Sequence, residues 1–315
     1  MTNAIGPADG MDGMDGMDGM DGMAGSGSAG GPGGFLRPIG ASASPTPTAP
    51  GELLWPANKF PSADLAANWQ ATPTVTYPRR AWSPQFYSVG FLGEFVQATA
   101  PAADGAPGLT WKDIDLAPYL PADALPAKIA PNQGNAIPGV TTRRELEELV
   151  ALVEYRPAVM AEAMAQREGF LTFWRGVLTF TRTSHPLTLD LAFIAFQVGH
   201  FQVQYQKQKF NRARPSHLCP ALMPPIDPPG HAAFPSGHAT ESALITACLK
   251  EVMPAEAAGA LDSLAERVGR NREVLGLHYP SDSAAGRILA AHSFDVMKSC
   301  PSIKPMMRDA AKEWQ

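Results

Sequence analysis

The sequence predicts an all-α fold: an irregular helical bundle in the second half of the chain, preceded by a disordered N-terminal tail. From about residue 141 onward, apolar residues recur at helical spacing in six successive segments. No segment alternates apolar and polar residues for long enough to indicate a strand. Glycine and proline, 29 and 31 of the 315 residues, are concentrated before that point. The bundle therefore has to be built from residues 141–315.

The chain divides into three predicted segments. Residues 1–34 contain five tandem Asp-Gly-Met triplets at 9–23, followed by a Gly/Ser/Ala run. Such a segment cannot bury an apolar face, so a disordered tail is expected. Residues 35–140 are rich in proline but contain four tryptophans, which favours a partly ordered segment wrapped onto the core. Residues 141–315 are expected to form the helical domain.

The elements of the helical domain follow from its apolar pattern. The first helix is expected to begin at Thr142, because Thr142 and Glu145 have the spacing of a capping box. The second is expected over residues 156–182. The third, over residues 186–209, is apolar nearly all round and should be central. Later helices are expected over residues 238–253, 254–276 and 281–297, with a proline-rich loop at 215–235 and a short helix after residue 305.

Composition excludes several classes of protein. The net charge of −5 comes from the tail, since residues 1–34 hold five Asp and no Lys or Arg. The neutral remainder is not typical of a nucleic-acid-binding protein. No apolar stretch reaches about 18 residues and no secretory signal is visible, so we expect a cytoplasmic protein without a membrane span. Three scattered cysteines are too few for a disulfide framework or a zinc cluster, and a homo-oligomer is compatible with the sequence.

Two polar clusters lie where the third helix ends and the fourth begins. Lys207 is near the end of the third helix, and Arg214 precedes a proline that moves it out of helical geometry. Lys209 and Arg212 are expected to extend the positive field there. Residues 236–238, Ser-Gly-His, open the fourth helix, where backbone N–H groups form an anion site. Taken singly, each cluster also has an ordinary explanation as charge at a helix end or as an N-cap.

A third cluster contains Arg272, His278 and Asp282. Arg272 and His278 are six residues apart, about 240° around a helix, so one straight helix cannot direct both to one point. Gly276 and Pro280 are expected to break the helix between them. Asp282 then lies in the first turn of the next helix, where it can accept a hydrogen bond from one imidazole nitrogen and orient the other. A purely structural hydrogen bond at this junction is the alternative.

Together the clusters read Lys-x6-Arg-Pro, Pro-Ser-Gly-His and Arg-x5-His-x3-Asp. This order and spacing resembles the tripartite signature of the superfamily of type 2 phosphatidic acid phosphatases, class A bacterial acid phosphatases and vanadium haloperoxidases. The resemblance covers roughly residues 186–290. One departure is Asn271, where the family usually has Ser before the arginine. Asn can still form a hydrogen bond at that position.

The resemblance implies an all-α core with one oxyanion site. Lys207, Arg214 and Arg272 would hold the non-bridging oxygens. Ser236 and the Gly237 amide would be the other donors.

The resemblance also assigns the reacting groups. His278 would be the phosphatase nucleophile, or the vanadate ligand of a haloperoxidase, with Asp282 as its orienting partner. His238 would be the general acid–base. His231, seven residues before His238, matches a histidine of bromoperoxidases.

Two activities are implied by this family. The first is metal-independent hydrolysis of small phosphate monoesters through a phosphohistidine intermediate, with no cofactor. The run from His278 to Arg287 favours it, because it looks like the class A acid phosphatase form. The alternative is a vanadium-dependent, bromoperoxidase-like enzyme that uses vanadate as cofactor and hydrogen peroxide and a halide as substrates. His231 favours the alternative, and a non-catalytic oxyanion-binding module is a third, weaker reading.

Overall fold

The computed structural model describes residue 79 and residues 82–101, 107–126, 137–169 and 171–315. Within these ranges the regular structure is α-helix and short 3-10 turns, and the one pairing of extended backbone is an isolated bridge between Ala100 and Leu109. The prediction of an all-α fold is confirmed. The predicted disordered tail lies outside the described residues, and the boundaries of the three predicted segments stay predictions.

Eleven α-helices follow one another in the described part of the chain. They are α1 (Pro84–Val89), α2 (Phe91–Phe95), α3 (Thr142–Leu152), α4 (Arg156–Gly169), α5 (Leu171–Arg175), α6 (Pro186–Phe210), α7 (Pro215–Leu218), α8 (Gly237–Val252), α9 (Ala258–Val274), α10 (Pro280–Met297) and α11 (Ile303–Ala310).

The core lies around α6 and α8. Helix α8 packs against α6, α9 and α10, so four helices share one apolar interior. Each fully buried aliphatic side chain there contributes roughly 1.5–3 kcal/mol to folding. Fully buried examples are Leu191, Ile194 and Val198 of α6, Leu244, Ile245 and Leu249 of α8, Val268 of α9, and Leu289 and Val296 of α10.

Helix α6 is buried nearly all round, which confirms its predicted central position. Its 25 residues extend over roughly 37 Å at about 1.5 Å per residue. Polar side chains, among them Asp190, Gln197 and Gln202, are buried along its length. No helix in the described ranges combines the length and apolar character needed to cross a membrane.

The first turn of α6 is capped from far along the chain. One carboxylate oxygen of Glu313 accepts a hydrogen bond from the Leu187 N–H at 2.8 Å. The other accepts from the Thr188 N–H at 2.9 Å and from the Thr188 hydroxyl at 2.7 Å. A negative charge at a helix N-terminus is favourable because it meets the positive end of the helix dipole. Glu313 thereby satisfies backbone donors that α6 cannot satisfy itself.

The single helix predicted over residues 156–182 is wrong. The chain forms α4, then the short α5, and continues in turns. Glycine disfavours helix interiors, and α4 ends at Gly169, whose carbonyl accepts from the Thr172 hydroxyl. Gly176 follows α5, and its N–H bonds to the carbonyls of Thr172 and Phe173 at 3.2 and 3.1 Å. The apolar periodicity had continued across both glycines.

The predicted capping box at the start of α3 is also wrong. The N-cap is Thr141, whose hydroxyl accepts from the Arg144 N–H at 3.2 Å. Thr142 is the first helical residue. Glu145 is therefore one position too far along the helix to complete a capping box. Its carboxylate forms hydrogen bonds outside α3 instead.

Candidate active site

The three polar clusters come from the ends of the four core helices. Lys207 is in the last turn of α6, Ser236 is the N-cap of α8, Arg272 is in the last turn of α9 and Asp282 is in the first turn of α10. Because these helices pack against one another, their ends meet on one side of the bundle.

The corner between α9 and α10 is a Schellman motif. Gly276 has a φ of 76°, in the left-handed region that only glycine adopts readily. Its N–H donates to the Glu273 carbonyl at 2.8 Å, and the Leu277 N–H donates to the Arg272 carbonyl at 3.0 Å. Pro280 then begins α10. The helix break predicted from Gly276 and Pro280 is present, and it brings His278 back toward Arg272.

Arg156, the first residue of α4, holds this corner from outside. Its Nε donates to the Val274 carbonyl at 2.9 Å, and its Nη2 donates to the Leu275 carbonyl at 3.2 Å. Its Nη1 donates to the Met223 carbonyl at 2.9 Å. One guanidinium thus satisfies the C-terminal carbonyls of α9 and ties them to the loop that follows α7.

The imidazole of His278 is buried and held on both sides. Its Nδ1 lies 3.1 Å from Oδ2 of Asp282, which also accepts from the Tyr279 N–H at 3.0 Å. Its Nε2 lies 3.0 Å from Nη1 of Arg214. A carboxylate only accepts and a guanidinium only donates, so these partners place the proton on Nδ1 and the lone pair on Nε2.

The charge state of His278 agrees with this assignment. Burial lowers the pKa of His278 well below its ordinary value of 6.5, and the positive charges of Arg214 and Lys207 lower it further. The ring is therefore neutral near neutral pH. Its Nε2 carries a lone pair among positive charges.

Two cations are anchored by backbone carbonyls beside His278. Nζ of Lys207 donates to the carbonyls of residues 232 and 233 at 2.6 and 3.1 Å. Arg214 donates from Nε to the His231 carbonyl and from Nη1 to the Leu277 carbonyl, both at 3.0 Å. These contacts fix both cations before any anion binds, and such preorganisation is what charge stabilisation in an enzyme requires.

His231 belongs to the same group. Its Nδ1 lies 3.0 Å from Nη2 of Arg214. Burial, followed by the charges of Lys207 and Arg214, lowers the pKa of His231 to about 3. The imidazole is therefore neutral. Its Nδ1 accepts from Arg214 in one tautomer and donates to the Ala232 carbonyl, 3.2 Å away, in the other.

Helix α4 supports the other half of the site. Nη2 of Arg272 donates to the Ala163 carbonyl at 2.6 Å. Nε2 of the partly buried His238 donates to the Gln166 carbonyl at 3.3 Å. Burial, followed by the positive charge of Arg272, lowers the pKa of His238 well below its ordinary value. His238 is thus neutral near neutral pH.

The start of α8 is tied to the start of α10. The Ser236 N–H donates to the Asp282 carbonyl at 3.0 Å, and the Ser236 hydroxyl accepts from the Ala239 N–H at 3.4 Å. Gly237 is the first residue of α8, so its amide belongs to the positively charged end of the helix. The N-terminus of α8 therefore adds backbone donors next to the pair of His278 and Asp282.

Gly286 of α10 permits this close approach. A Cβ at this position would lie 2.9 Å from the Ser236 carbonyl oxygen and 2.9 Å from the Thr240 hydroxyl. We expect Gly286→Ala to push α10 away from α8, to cost roughly 1–3 kcal/mol of unfolding free energy and to weaken phosphate binding. Thermal unfolding and inhibition by inorganic phosphate measure the two effects.

Gly259→Ala in α9 is the matched control, because no described residue lies within 4 Å of a Cβ added at this position. It should be neutral or stabilise by up to about 1 kcal/mol. Equal behaviour of the two variants would contradict the role given to Gly286.

The structure brings together all of the residues predicted for the site: Lys207, Arg214, His231, Ser236, Gly237, His238, Arg272, His278 and Asp282. Asn271 forms the hydrogen bond expected of it, since its Nδ2 donates to Oε1 of Gln166 at 2.9 Å. The carbonyls of α4 were not predicted, because a backbone contact leaves no residue-type signal.

The expected role of Arg212 is wrong. It does not extend the positive field at the pocket mouth, because its side chain is buried against Asp282, Ser281 and Glu145. Glu145 was missed because its spacing from Thr142 already explained it as a cap.

Comparison with known proteins identifies the family of one part of the chain. Residues 187–303 match the family model described as the PAP2 superfamily, and the resemblance stated above is thereby confirmed: this part of the chain is a PAP2 superfamily domain. Two curated relatives, from Mycobacterium tuberculosis strains CDC 1551 / Oshkosh and ATCC 25618 / H37Rv, are both called decaprenylphosphoryl-5-phosphoribose phosphatase. Each is 35% identical over 94 residues, which is 30% of this chain and 50% of the relative. The chain thus spans about half the length of the curated relatives it matches.

Proposed function

We propose that this site hydrolyses phosphate monoesters through a phosphohistidine intermediate and without a divalent metal ion. The observation that carries the proposal is the buried His278, whose Nδ1 donates to Asp282 and whose Nε2 faces Arg214. An unprotonated nitrogen among cations is suited to attack a phosphorus atom whose oxygens those cations bind. The name of the two relatives supports a phosphatase.

Positive charge is supplied by the protein itself. Lys207, Arg214 and Arg272, with the N-terminus of α8, are suited to stabilise the negative charge on the three non-bridging oxygens during transfer. In many other phosphoryl-transfer sites, metal ions neutralise this charge. We therefore expect EDTA to leave the activity unchanged.

The reaction has two steps. In the first, Nε2 of His278 forms a bond to phosphorus while the bond from phosphorus to the leaving oxygen breaks, and His238 donates a proton to that oxygen. In the second, water attacks phosphorus, His238 takes a proton from the water, and the nitrogen–phosphorus bond breaks. Inorganic phosphate leaves, the proton gained by His238 leaves with it, and both histidines return to the neutral state of the free protein.

The lowered pKa of His238 determines how its proton arrives. In the free protein His238 is neutral, with Nε2 donating to Gln166, so the proton it gains is on Nδ1. A bound phosphate anion opposes the field of Arg272 and so raises the pKa of His238. The proton therefore enters together with the substrate, either from solvent or on a singly ionised ester.

The general-acid role predicts the effect of His238→Ala. Alkyl phosphates need a proton on the departing oxygen, whereas aryl phosphates with acidic phenols do not. We expect kcat/KM to fall far more for alkyl than for aryl phosphates, by about 100-fold or more against a few-fold. The measurement is the dependence of log(kcat/KM) on leaving-group pKa, which should be steeper in the variant.

The dependence of wild-type activity on pH is the control for the general-acid role of His238. The reaction requires one proton, which the free enzyme or the free substrate must carry. Phosphate monoesters lose their second proton at about pH 6. Activity should therefore fall as pH rises above that value, while the low pKa of His278 keeps Nε2 unprotonated on the acid side. An optimum well above neutral, or equal losses for both substrate types, would contradict the assignment of His238.

A vanadium-dependent haloperoxidase is the second candidate, favoured by the contact between His231 and Arg214. The donors suited to phosphate also fit vanadate, which Lys207, Arg214 and Arg272 would hold and His278 would ligate. Bound vanadate would supply the activation of hydrogen peroxide toward a halide.

A paired assay of the purified protein separates the two functions. One arm uses 4-nitrophenyl phosphate with EDTA, and the other uses vanadate, hydrogen peroxide and bromide. The phosphatase proposal expects rapid ester hydrolysis, only trace bromide oxidation and a modest effect of His231→Phe. Rapid bromide oxidation that responds to His231→Phe, with only trace hydrolysis, would replace it with the haloperoxidase.

A further inference from the structure

A buried network of ion pairs lies behind His278. Arg212 donates from Nη1 to Oδ1 of Asp282 at 2.7 Å and from Nη2 to Oε2 of Glu145 at 2.6 Å. The side chains of Arg212, Glu145 and Asp282 are 4%, 3% and 0% exposed. Glu145 comes from α3, outside the matched residues 187–303.

Each carboxylate oxygen in this network has a partner. Oδ2 of Asp282 accepts from Nδ1 of His278 and from the Tyr279 N–H. Oε1 of Glu145 accepts from the Ser281 N–H at 2.8 Å. The two acids thus share one guanidinium, and Glu145 also binds the backbone of the first turn of α10.

Arg212 is charged and fixed in this position. Burial lowers the pKa of Arg212, but the adjacent carboxylates of Asp282 and Glu145 outweigh burial and raise it overall. The guanidinium also lies over the ring of Tyr279, 3.6 Å from its centroid. Such a stacked, forked contact suits arginine and not lysine.

The two arms of the Arg212 guanidinium bind different carboxylates, and this arrangement affects His278. A guanidinium beside a single carboxylate tends to bind both of its oxygens. Here Glu145 takes the second arm, so Arg212 reaches only Oδ1 of Asp282, and Oδ2 is left to accept from His278.

We infer that Glu145 is a positioning residue for the proposed reaction: by holding the second arm of Arg212, it keeps Oδ2 of Asp282 on Nδ1 of His278 and so keeps the lone pair on Nε2. The inference rests on the proposed function for its catalytic consequence. Its structural part, the tautomer of His278, is independent of any activity.

The test is Glu145→Gln, which preserves shape but removes the charge. The nitrogen-15 NMR signals of the His278 ring in the full chain report the tautomer, and kinetics with 4-nitrophenyl phosphate report kcat and KM. We expect Nε2–H to become populated and kcat to fall about 10- to 100-fold, as small misplacements of reacting groups do. KM should change less than about threefold, because the anion-binding cations are untouched.

Glu147→Gln is the matched control, since Glu147 is on the same helix, exposed, and paired at the surface with Arg143. It should behave as wild type. If Glu145→Gln fails to fold, Arg212→Lys is measured instead, because it keeps the charge but loses the fork, and the same change of tautomer and kcat is expected.

Three outcomes decide the inference. An unchanged tautomer in the folded variant, with any loss confined to melting temperature or KM, overturns it and leaves Glu145 a purely structural role. A changed tautomer with reduced kcat supports it. A changed tautomer in a protein whose wild type hydrolyses no phosphate ester supports the positioning role of Glu145 and refutes the proposed function.

Discussion

His278→Ala should abolish phosphate-ester turnover. Removal of the imidazole takes away the proposed nucleophile, so the loss should reach at least about 1,000-fold in kcat. Vanadate binding should be lost as well, because Nε2 lies against Arg214 in the middle of the cations. Steady-state kinetics and vanadate inhibition measure both effects. A phosphohistidine trapped from wild type by rapid alkaline quench should be absent from the variant.

His292→Ala is the control for that experiment. His292 is on the same helix as Asp282, and its Nε2 is bonded at 2.8 Å to the carbonyl of Thr110, away from the site. It should retain near-normal turnover. Retention of more than a few per cent of wild-type activity in His278→Ala would remove His278 from its assigned role.

Truncation of the cations should have the next largest effects. Lys207→Ala, Arg214→Ala and Arg272→Ala should each cost roughly 2–4 kcal/mol of transition-state stabilisation, about 30- to 1,000-fold in kcat/KM. The losses should not add in double variants, since the three residues are proposed to act on one anion. Measurement of kcat/KM together with inhibition by phosphate and vanadate tests both statements.

Lys209→Ala provides the comparison for the cations. Lys209 carries the same charge in the last turn of α6, but it is exposed and lies over the ring of Phe210. Its loss should change kcat/KM only a few-fold. The shared anion site would be wrong if the three buried cations could be removed without weakening inhibition by phosphate and vanadate.

The fold was predictable where burial follows sequence pattern. Helix α6 is apolar nearly all round, and burial on all sides is the only stable setting for such a helix. The corner at Gly276 was predictable because Arg272 and His278 are out of phase on one helix and a glycine lies between them. The helix predicted over residues 156–182 failed because apolar periodicity alone does not register a break at glycine.

The functional side chains of the site were predictable from the sequence, but the groups that hold them in position were not. The order of Lys207, Arg214, His238, Arg272 and His278 was visible in the sequence. Their supports are mostly backbone carbonyls, and a carbonyl is present at every residue. The supporting side chain of Glu145, from outside the matched domain, is concealed by local spacing, because a Glu three residues after a Thr has a ready helix-capping explanation.

The distant cap on α6 has a consequence for the order of events during biosynthesis. Glu313 is translated 125 residues after Thr188, whose N–H and hydroxyl it binds. Because a nascent chain emerges N-terminus first, the helix that carries Lys207 leaves the ribosome well before its anionic cap exists. The first turn of α6 can therefore mature only after the segment around Glu313 has emerged from the ribosome and has docked, so completion of this bundle comes late in folding.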